Sequence, residues 1–203
     1  MASRWKNNYR VEVVVRAVVI KEIFSKSIHK GKRMKHYFSK MRGQGDALPP
    51  TPKAAHVAWS FMGGFIAIAA LAYLALNQHQ PLIMASFGAS CVLVFGFPDS
   101  PFSQPRNVIG GHFIATLSGL IYMTIFGVTW WSMALALATA IALMQITKTV
   151  HPPAGSNPLI VMLTGAGWPF LATPSLLGSI ILVGVALIFN NLAKDRRYPR
   201  YWA

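Results

Sequence analysis

Hydrophobic residues dominate the chain from about residue 54 to residue 193, and short polar stretches divide this block into six apolar segments. The segments cover residues 56–76, 82–97, 107–128, 131–147, 154–166 and 171–193. Because a helix rises about 1.5 Å per residue, a hydrocarbon core of about 30 Å needs roughly 20 apolar residues. The first, third and sixth segments reach that length, and the fourth nearly does. The pattern predicts an all-α polytopic membrane protein with four long spans and two short helices.

The second and fifth segments are too short for straight spans, and each begins with small or helix-breaking residues. One begins with Ser86-Phe-Gly-Ala-Ser90 and the other with Pro152-Pro-Ala-Gly-Ser-Asn157. Irregular backbone at membrane depth persists only where protein buries it or where it lines a polar cavity. We therefore expect these two segments to be re-entrant half-helices or interrupted spans.

The two short segments also lie at corresponding positions of a predicted internal sequence repeat. Residues 88–90, an apolar run and Pro101 resemble residues 155–157, an apolar run and Pro169. Each half would then consist of a long, a short and a long span, and three crossings would give the halves opposite orientations. In an inverted 3+3 repeat of this kind, short interrupted segments at corresponding positions mark the substrate site.

Charged residues lie almost entirely outside the apolar block. Residues 1–53 hold 13 of the 19 Lys and Arg residues, and residues 194–203 hold four more. We therefore expect a basic N-terminal extension and linker over 1–53, a transmembrane domain over 54–193 and a basic C-terminal tail over 194–203. Basic residues concentrate on the cytoplasmic side of membranes, so both termini are expected in the cytoplasm.

The placement of the basic residues also indicates the partners. Basic residues beside apolar spans attract anionic headgroups, so we expect membrane lipids, and no nucleic acid, to be bound. Residues 1–53 contain no long apolar run of the kind found in a secretory signal. A multi-pass protein of a bacterial inner membrane is the first expectation. An organellar membrane is the alternative, because the N-terminal extension is basic and poor in acids.

The N-termini of the two short helices are candidates for binding an anion. Unpaired backbone N–H groups and the helix dipole favour negative charge there. Small residues would let a solute approach the backbone, and Ser and Asn would add side-chain donors. The alternative is that the small residues only allow close helix packing. The candidate residues are Ser86, Gly88, Ala89 and Ser90 in one segment and Ala154, Gly155, Ser156 and Asn157 in the other.

Two basic residues and one amide extend this candidate substrate-binding set. Arg106 and Asn107 begin the third span, and Lys148 follows the fourth. Either cation could attract an anion to the mouth of a pathway or could lie at the membrane interface and set the topology. Asp99 could pair with Arg106 across a short loop, which would weaken the attraction of Arg106 for anions.

His151 immediately precedes Pro152 and Pro153, in the polar interruption between the fourth and fifth segments. It could donate a hydrogen bond to an anion, relay a proton or cap backbone groups. A structural hydrogen-bonding role competes with all three. His112, in a Gly-Gly-His sequence, could pack at a helix crossing or face a pore.

Other chemistry has little support in the sequence. Asp99 is the one acid between residues 54 and 193, so neither a catalytic triad nor a pair of catalytic carboxylates can be assembled there. The single cysteine, Cys91, excludes an internal disulfide, and His112 and His151 lack companion metal ligands. We expect no enzymatic activity, no catalytic residues, no metal site and no cofactor.

Five separated motifs resemble the HPP family of integral membrane proteins, which is named for its histidine-proline-proline motif. The match covers about residues 50–202. The motifs are His151-Pro-Pro-Ala-Gly155, Ala85-Ser-Phe-Gly-Ala-Ser90, Pro98-Asp-Ser-Pro101, Gln104-Pro-Arg-Asn-Val-Ile-Gly-Gly-His112 and Phe189-Asn-Asn-Leu192. The family is usually described with four transmembrane segments, fewer than the six drawn here. A plant chloroplast branch is associated with nitrite transport, so the resemblance implies nitrite or a similar small anion as substrate.

These observations give two functional expectations. The first is a membrane channel or transporter for a small inorganic anion, with nitrite foremost. The second is a non-transporting membrane module that docks partners through its basic N-terminal extension or senses lipid. A block of 140 residues offers little protein to bury a polar pathway, so a homo-oligomer is expected in either case.

Overall fold

The computed structural model describes residues 36–37, 39–41, 45–77 and 82–202. Most of the N-terminal extension and most of the first predicted outer connection, residues 78–81, lie outside the described residues. Residues 1–51 and 52–203 form two compact units. The apolar block and the tail predicted from the sequence both belong to the second unit.

The regular structure of the second unit is helical, with no strand among its described residues. Short 3-10 helices at Pro101–Ser103 and Pro152–Ser156 and π-helical turns at Leu171–Leu176 lie between the α-helices. The α-helices are α1 (Ala54–Asn77), α2 (Ala85–Gly96), α3 (Pro105–Phe126), α4 (Trp130–Ile146), α5 (Asn157–Thr164) and α6 (Leu177–Leu192).

The helices confirm the all-α prediction and its alternation of long and short segments. Three helical stretches of 22 to 24 residues are long and apolar enough to cross a membrane: Ala54–Asn77, Pro105–Phe126 and Leu171–Leu192. α4 has 17 residues, whereas α2 has 12 and α5 only 8. The number of crossings and the inverted repeat stay predictions.

Local sequence explains where the central helices begin and end. Pro105 occupies the first turn of α3, where its missing N–H leaves no hydrogen bond unmade. Gly127 ends α3 with a φ of 66°, a conformation that favours glycine. Thr129 then caps α4 through a reciprocal capping box with Ser132. Two closely spaced helices can therefore form with only a short connection between them.

α3 is the central helix, because it packs against α4, α5, α6 and both 3-10 helices. Helices α1, α2 and α6 pack around a buried apolar core that includes Leu71, Phe87, Phe95 and Leu182. The outer surface of α1 is apolar and exposed, as expected for a helix that faces lipid.

Small residues set the close approach of these helices. A Cβ atom at Gly63 of α1 would overlap the Phe95 ring of α2. A Cβ atom at Gly178 of α6 would lie 2.5 Å from the Phe87 ring. Glycines at such crossings let the backbones approach closely, which is how helices associate when lipid removes the hydrophobic driving force.

The C-terminal residues are docked on the membrane domain. Tyr198 donates a hydrogen bond from its hydroxyl to the Ser103 carbonyl at 2.8 Å, and the Arg200 backbone N–H donates to Gln104 Oε1 at 2.7 Å. Burial raises the pKa of the Tyr198 hydroxyl above its usual value. We call residues 196–202 the C-terminal strap. The sequence predicts only a basic tail here, because the residues that form hydrogen bonds with the strap are distant from it along the chain.

The suggested pairing of Asp99 with Arg106 is wrong. Asp99 forms an ion pair with Arg200 of the strap at 2.6 Å, and this contact raises the pKa of the Arg200 guanidinium. Arg106 instead donates to the Thr147 carbonyl at 3.0 Å. Sequence proximity favoured the first pair, but the strap brings Arg200 to the other side of the same loop.

Candidate functional site

A group of polar side chains lies inside the apolar domain, where α2, α3 and the segment before α5 meet. Each member has 0% of its surface exposed. The members of this group, here called the polar cluster, are Ser90, His112, Thr116, His151, Asn157 and Ser175. Ionisable residues buried within a membrane domain are rare and usually functional.

Ser90 joins the two histidines. Its Oγ atom lies 3.0 Å from Nε2 of His112 and 2.8 Å from Nε2 of His151. The remaining nitrogen of His151, Nδ1, lies 2.7 Å from the Phe102 carbonyl, and the remaining nitrogen of His112 lies 3.0 Å from Asn157 Nδ2. All four imidazole nitrogens therefore have a partner.

The partners fix the direction of each hydrogen bond. A carbonyl can only accept, so Nδ1 of His151 carries hydrogen, and Nε2 of the neutral ring accepts from Ser90. The Asn157 Nδ2 group can only donate, so Nδ1 of His112 accepts and Nε2 donates to Ser90. The result is a one-way chain of hydrogen bonds from Asn157 to the Phe102 carbonyl.

A second chain leaves the same amide. Asn157 donates to Thr116 Oγ1 at 2.9 Å, and Thr116 lies 2.8 Å from Ser175 Oγ. Ser175 donates to the His112 carbonyl at 3.1 Å. Both hydrogens of the Asn157 amide are thus used, which fixes the amide orientation.

The backbone before α5 is held in place by α3. Asn107 of α3 donates to the Val150 carbonyl at 2.9 Å. A Cβ atom at Gly111 would lie 2.7 Å from His151 Cβ, and one at Gly110 would lie 2.8 Å from Thr149 Cγ2. The Gly-Gly pair of α3 therefore makes the space in which His151 sits.

Two polar atoms beside these chains have no partner in the described part of the structure. They are the Ser86 hydroxyl, one turn before Ser90 on α2, and the Oδ1 atom of Asn157. Buried polar atoms normally form hydrogen bonds, so unpaired ones are places where a solute or water can bind. The cluster is therefore not closed to further ligands.

The structure brings together part of the predicted site. Ser90, His151 and Asn157 belong to the polar cluster, and Ala154 is buried beside them. Gly88, Ala89 and Ser156 are exposed, and Gly155 is half-buried. Ser156 donates to the Pro153 carbonyl of its own turn.

The remaining predicted residues lie at the edge of the domain. Lys148 is exposed, Arg106 is half-buried, and Asn107 is buried but binds backbone and Tyr201. The sequence did not distinguish a packing role from a pore-facing role for His112, and it did not indicate Thr116 or Ser175 as site residues. The spacing of His112 and Thr116, one helical turn apart after two glycines, was the available signal for one shared face.

The composition of the cluster limits its chemistry. It contains imidazole, hydroxyl and amide groups but no carboxylate or thiolate. The described residues include no group of three or more His, Cys, Asp or Glu side chains placed to hold a metal. The cluster can bind a small polar or anionic solute and can accept a proton.

The fold and its buried polar cluster define a helical integral membrane protein. The chain belongs to the HPP family, because the family model described as "HPP, transmembrane region" matches residues 49–199. The resemblance found in the sequence motifs is thereby confirmed.

Two curated relatives are transmembrane proteins of Dictyostelium discoideum. They are 37% identical over 179 residues and 35% identical over 178 residues. Each alignment covers 82% of this chain, but only 63% and 57% of the respective relatives. The chain thus spans about three fifths of the length of these relatives. No solved structure matches it.

Proposed function

We propose that the protein is a membrane channel or transporter for a small inorganic anion, with nitrite as the leading substrate. The observation that carries the proposal is the polar cluster where α2, α3 and the segment before α5 meet. Two buried histidines and an unpaired Ser86 hydroxyl occur there without any carboxylate. The resemblance to HPP proteins associated with nitrite adds the substrate.

The charge of the domain favours an anion over a cation. Cation pathways through membranes usually contain Asp or Glu to replace the hydration of the ion. Asp99 is the one acid between residues 54 and 193, and it lies at the surface with Arg200. Hydroxyl and N–H donors, together with a histidine that can become positive, suit a solute of negative charge.

The polar cluster also fits the expectation of a site at the two interrupted helices. Ser90 lies in the second turn of α2, and Asn157 is the first residue of α5. The N-terminal half of each short helix therefore contributes a residue to the cluster. We propose that the anion binds between these halves, with Ser86 as one donor.

Flux into liposomes tests the proposal. Purified protein should carry at least one of nitrite, nitrate, formate and chloride, measured against protein-free vesicles. Asn157→Leu removes the amide that supports both hydrogen-bond chains, so flux should fall by about tenfold or more. Ser179→Ala is the matched control, since Ser179 is equally buried on α6 but binds only the Leu176 carbonyl. Absence of flux for all four anions would refute the proposal.

We further propose that the protein acts as a homo-oligomer with both termini in the cytoplasm. Cysteine labelling of loop positions in a Cys91→Ser background reports the side of each loop. Labelling of residues 77–81 from the cytoplasmic side would contradict this topology. The mass of the purified protein in detergent tests the oligomer.

A further inference from the structure

We infer that Nε2 of His151 is a proton-binding site and that the Ser90 hydroxyl reorients to serve both of its protonation states. The transported anion then moves together with one proton. The coupling rests on the proposed transport function, whereas the proton site itself rests only on the geometry of the cluster.

In the neutral state, Ser90 accepts one hydrogen bond and donates one. His112 donates from Nε2 to Ser90 Oγ at 3.0 Å, and Ser90 donates to His151 Nε2 at 2.8 Å. The Ser86 carbonyl, 3.1 Å from the same Oγ atom, is the other acceptor within reach of the hydroxyl, whose single hydrogen can serve only one of the two at a time.

In the protonated state, His151 carries hydrogen on both nitrogens and must donate from both. Nδ1 keeps its bond to the Phe102 carbonyl, and Nε2 now donates to Ser90. The Ser90 hydroxyl turns to the Ser86 carbonyl, which is already within hydrogen-bond distance. Ser90 then accepts from both histidines with its two lone pairs and donates once. The change rotates one hydroxyl hydrogen and requires no heavy atom to move.

The same reasoning excludes His112 as the first proton acceptor. Its Nδ1 atom receives a hydrogen from Asn157, whose other amide hydrogen binds Thr116. A proton on Nδ1 would face that N–H group unless the amide reversed and gave up both bonds. His112 is therefore a fixed donor, and His151 is the site that can change.

No other ionisable group in the surrounding elements is placed to replace His151. Cys91 of α2 faces Gly64 of α1, and Tyr122 of α3 pairs with Thr139 of α4. The 3-10 helix Pro101–Ser103 and helices α4, α5 and α6 carry no ionisable side chain. Among the described residues, none of the other ionisable groups on neighbouring elements forms a hydrogen bond or ion pair with either imidazole. These groups are Asp99, Arg106, Lys148, Tyr198, Arg200 and Tyr201.

A proton at this place changes what the cluster binds. An isolated anion in an apolar interior is strongly disfavoured, but an anion beside an imidazolium is part of a neutral pair. By linkage, a bound anion must then strengthen proton binding as much as the proton strengthens anion binding. The pair can cross the membrane without net movement of charge.

The first experiment is nuclear magnetic resonance of the full chain in detergent, with ¹⁵N-labelled histidine and a titration from about pH 8 to about pH 4. We expect Nδ1 of His151 to remain protonated throughout and Nε2 to gain the proton, while His112 stays neutral. His151→Gln and His112→Gln assign the signals. Protonation of His112 before His151, or a His151 ring that never titrates in this range, would overturn the inference whatever the protein transports.

The second experiment measures anion uptake, internal pH and membrane potential together in proteoliposomes. Nitrate and nitrite are both used, with subtraction of protein-free vesicles because nitrous acid crosses lipid by itself. An inward anion gradient should acidify the interior of the vesicles. Uptake should not require a potassium ionophore, because no membrane potential builds up that the ionophore would have to dissipate. Uptake should rise by up to about tenfold for each unit of falling pH. Electrogenic, pH-independent uptake would overturn the coupling while leaving anion transport intact.

Variants separate the proton site from simple support of the fold. His151→Gln should remove the pH dependence, whereas His112→Gln should lower uptake but keep that dependence. Ser90→Ala should lose proton-linked uptake, and Ser90→Thr should restore it because the hydroxyl returns. Ser179→Ala should behave like the parent. If the pH dependence survives in His151→Gln, the assignment to His151 is wrong.

Discussion

Gly111 of α3 lies directly against His151, so that a Cβ atom on the glycine would stand 2.7 Å from the Cβ atom of the histidine. The same Cβ atom would lie 3.1 Å from the Thr149 carbonyl. The backbone cannot move away from such a contact as easily as the end of a flexible side chain can. The position of the His-Pro-Pro segment therefore depends on the absence of a side chain on the neighbouring helix.

Gly111→Ala should displace the His151 segment and disturb its bond to Ser90. Overpacking in a filled interior costs about 1–3 kcal/mol, which should lower the unfolding temperature in detergent and reduce anion flux. Gly184→Ala is the matched control, because a Cβ atom there meets nothing within 4 Å. That control should be neutral or slightly stabilising. Equal stability of the two variants would show that the contact at Gly111 can relax.

Gly88→Leu and Gly155→Leu test whether the N-termini of the short helices bind the anion. Both proteins should fold, since a Cβ atom at Gly88 meets nothing within 4 Å and one at Gly155 meets only Leu137 at 3.9 Å. If the solute approaches the backbone at these ends, the bulky side chains should lower flux. Parental flux in both variants would leave the polar cluster as the candidate and remove these two glycines from the site.

Tyr198→Phe should weaken the docking of the C-terminal strap. It removes the bond to the Ser103 carbonyl and leaves that acceptor unpaired, at a cost of about 1–3 kcal/mol. The contribution of Tyr198 to the stability of the folded protein should also depend on pH. Burial raises the pKa of Tyr198 in the folded state, so the folded chain holds this proton more tightly than the unfolded chain. Stability should fall as the pH rises above about 10.

Thermal unfolding of the parent and Tyr198→Phe across this range measures the effect. The phenylalanine variant cannot ionise, so the difference between the two proteins should shrink at high pH. A difference that stays constant with pH would mean that Tyr198 is not buried as described.

Asp99→Asn should change stability little. Asp99 and its partner Arg200 are both largely exposed, and water and salt screen exposed ion pairs so that they contribute little to stability. Unfolding at low and high salt should give nearly the same difference from the parent. A large loss in this variant would indicate that the ion pair is shielded from water, for example by a second protomer.

The two histidines illustrate what sequence could predict about the site. His151 stands out in the sequence because it lies in a polar, proline-rich interruption between apolar runs. The role of His112 cannot be chosen from the sequence, because residues 22 to 63 positions away form its environment. The partner of Asp99 was wrong for the same reason, since Arg200 is 101 residues distant.

The sequence by itself determined the helical membrane class, the bounds of the helices to within a few residues, the two short segments and the family. Hydropathy and breaking residues act over one or two helical turns, so these features can be read along the chain. Only the tertiary structure decided which polar residues meet. The Ser90 bridge, the orientation of the Asn157 amide and the docked strap depend on the rotation of each helix and on how closely the glycines let the helices approach. Neither the rotation nor the approach distance can be derived from local composition.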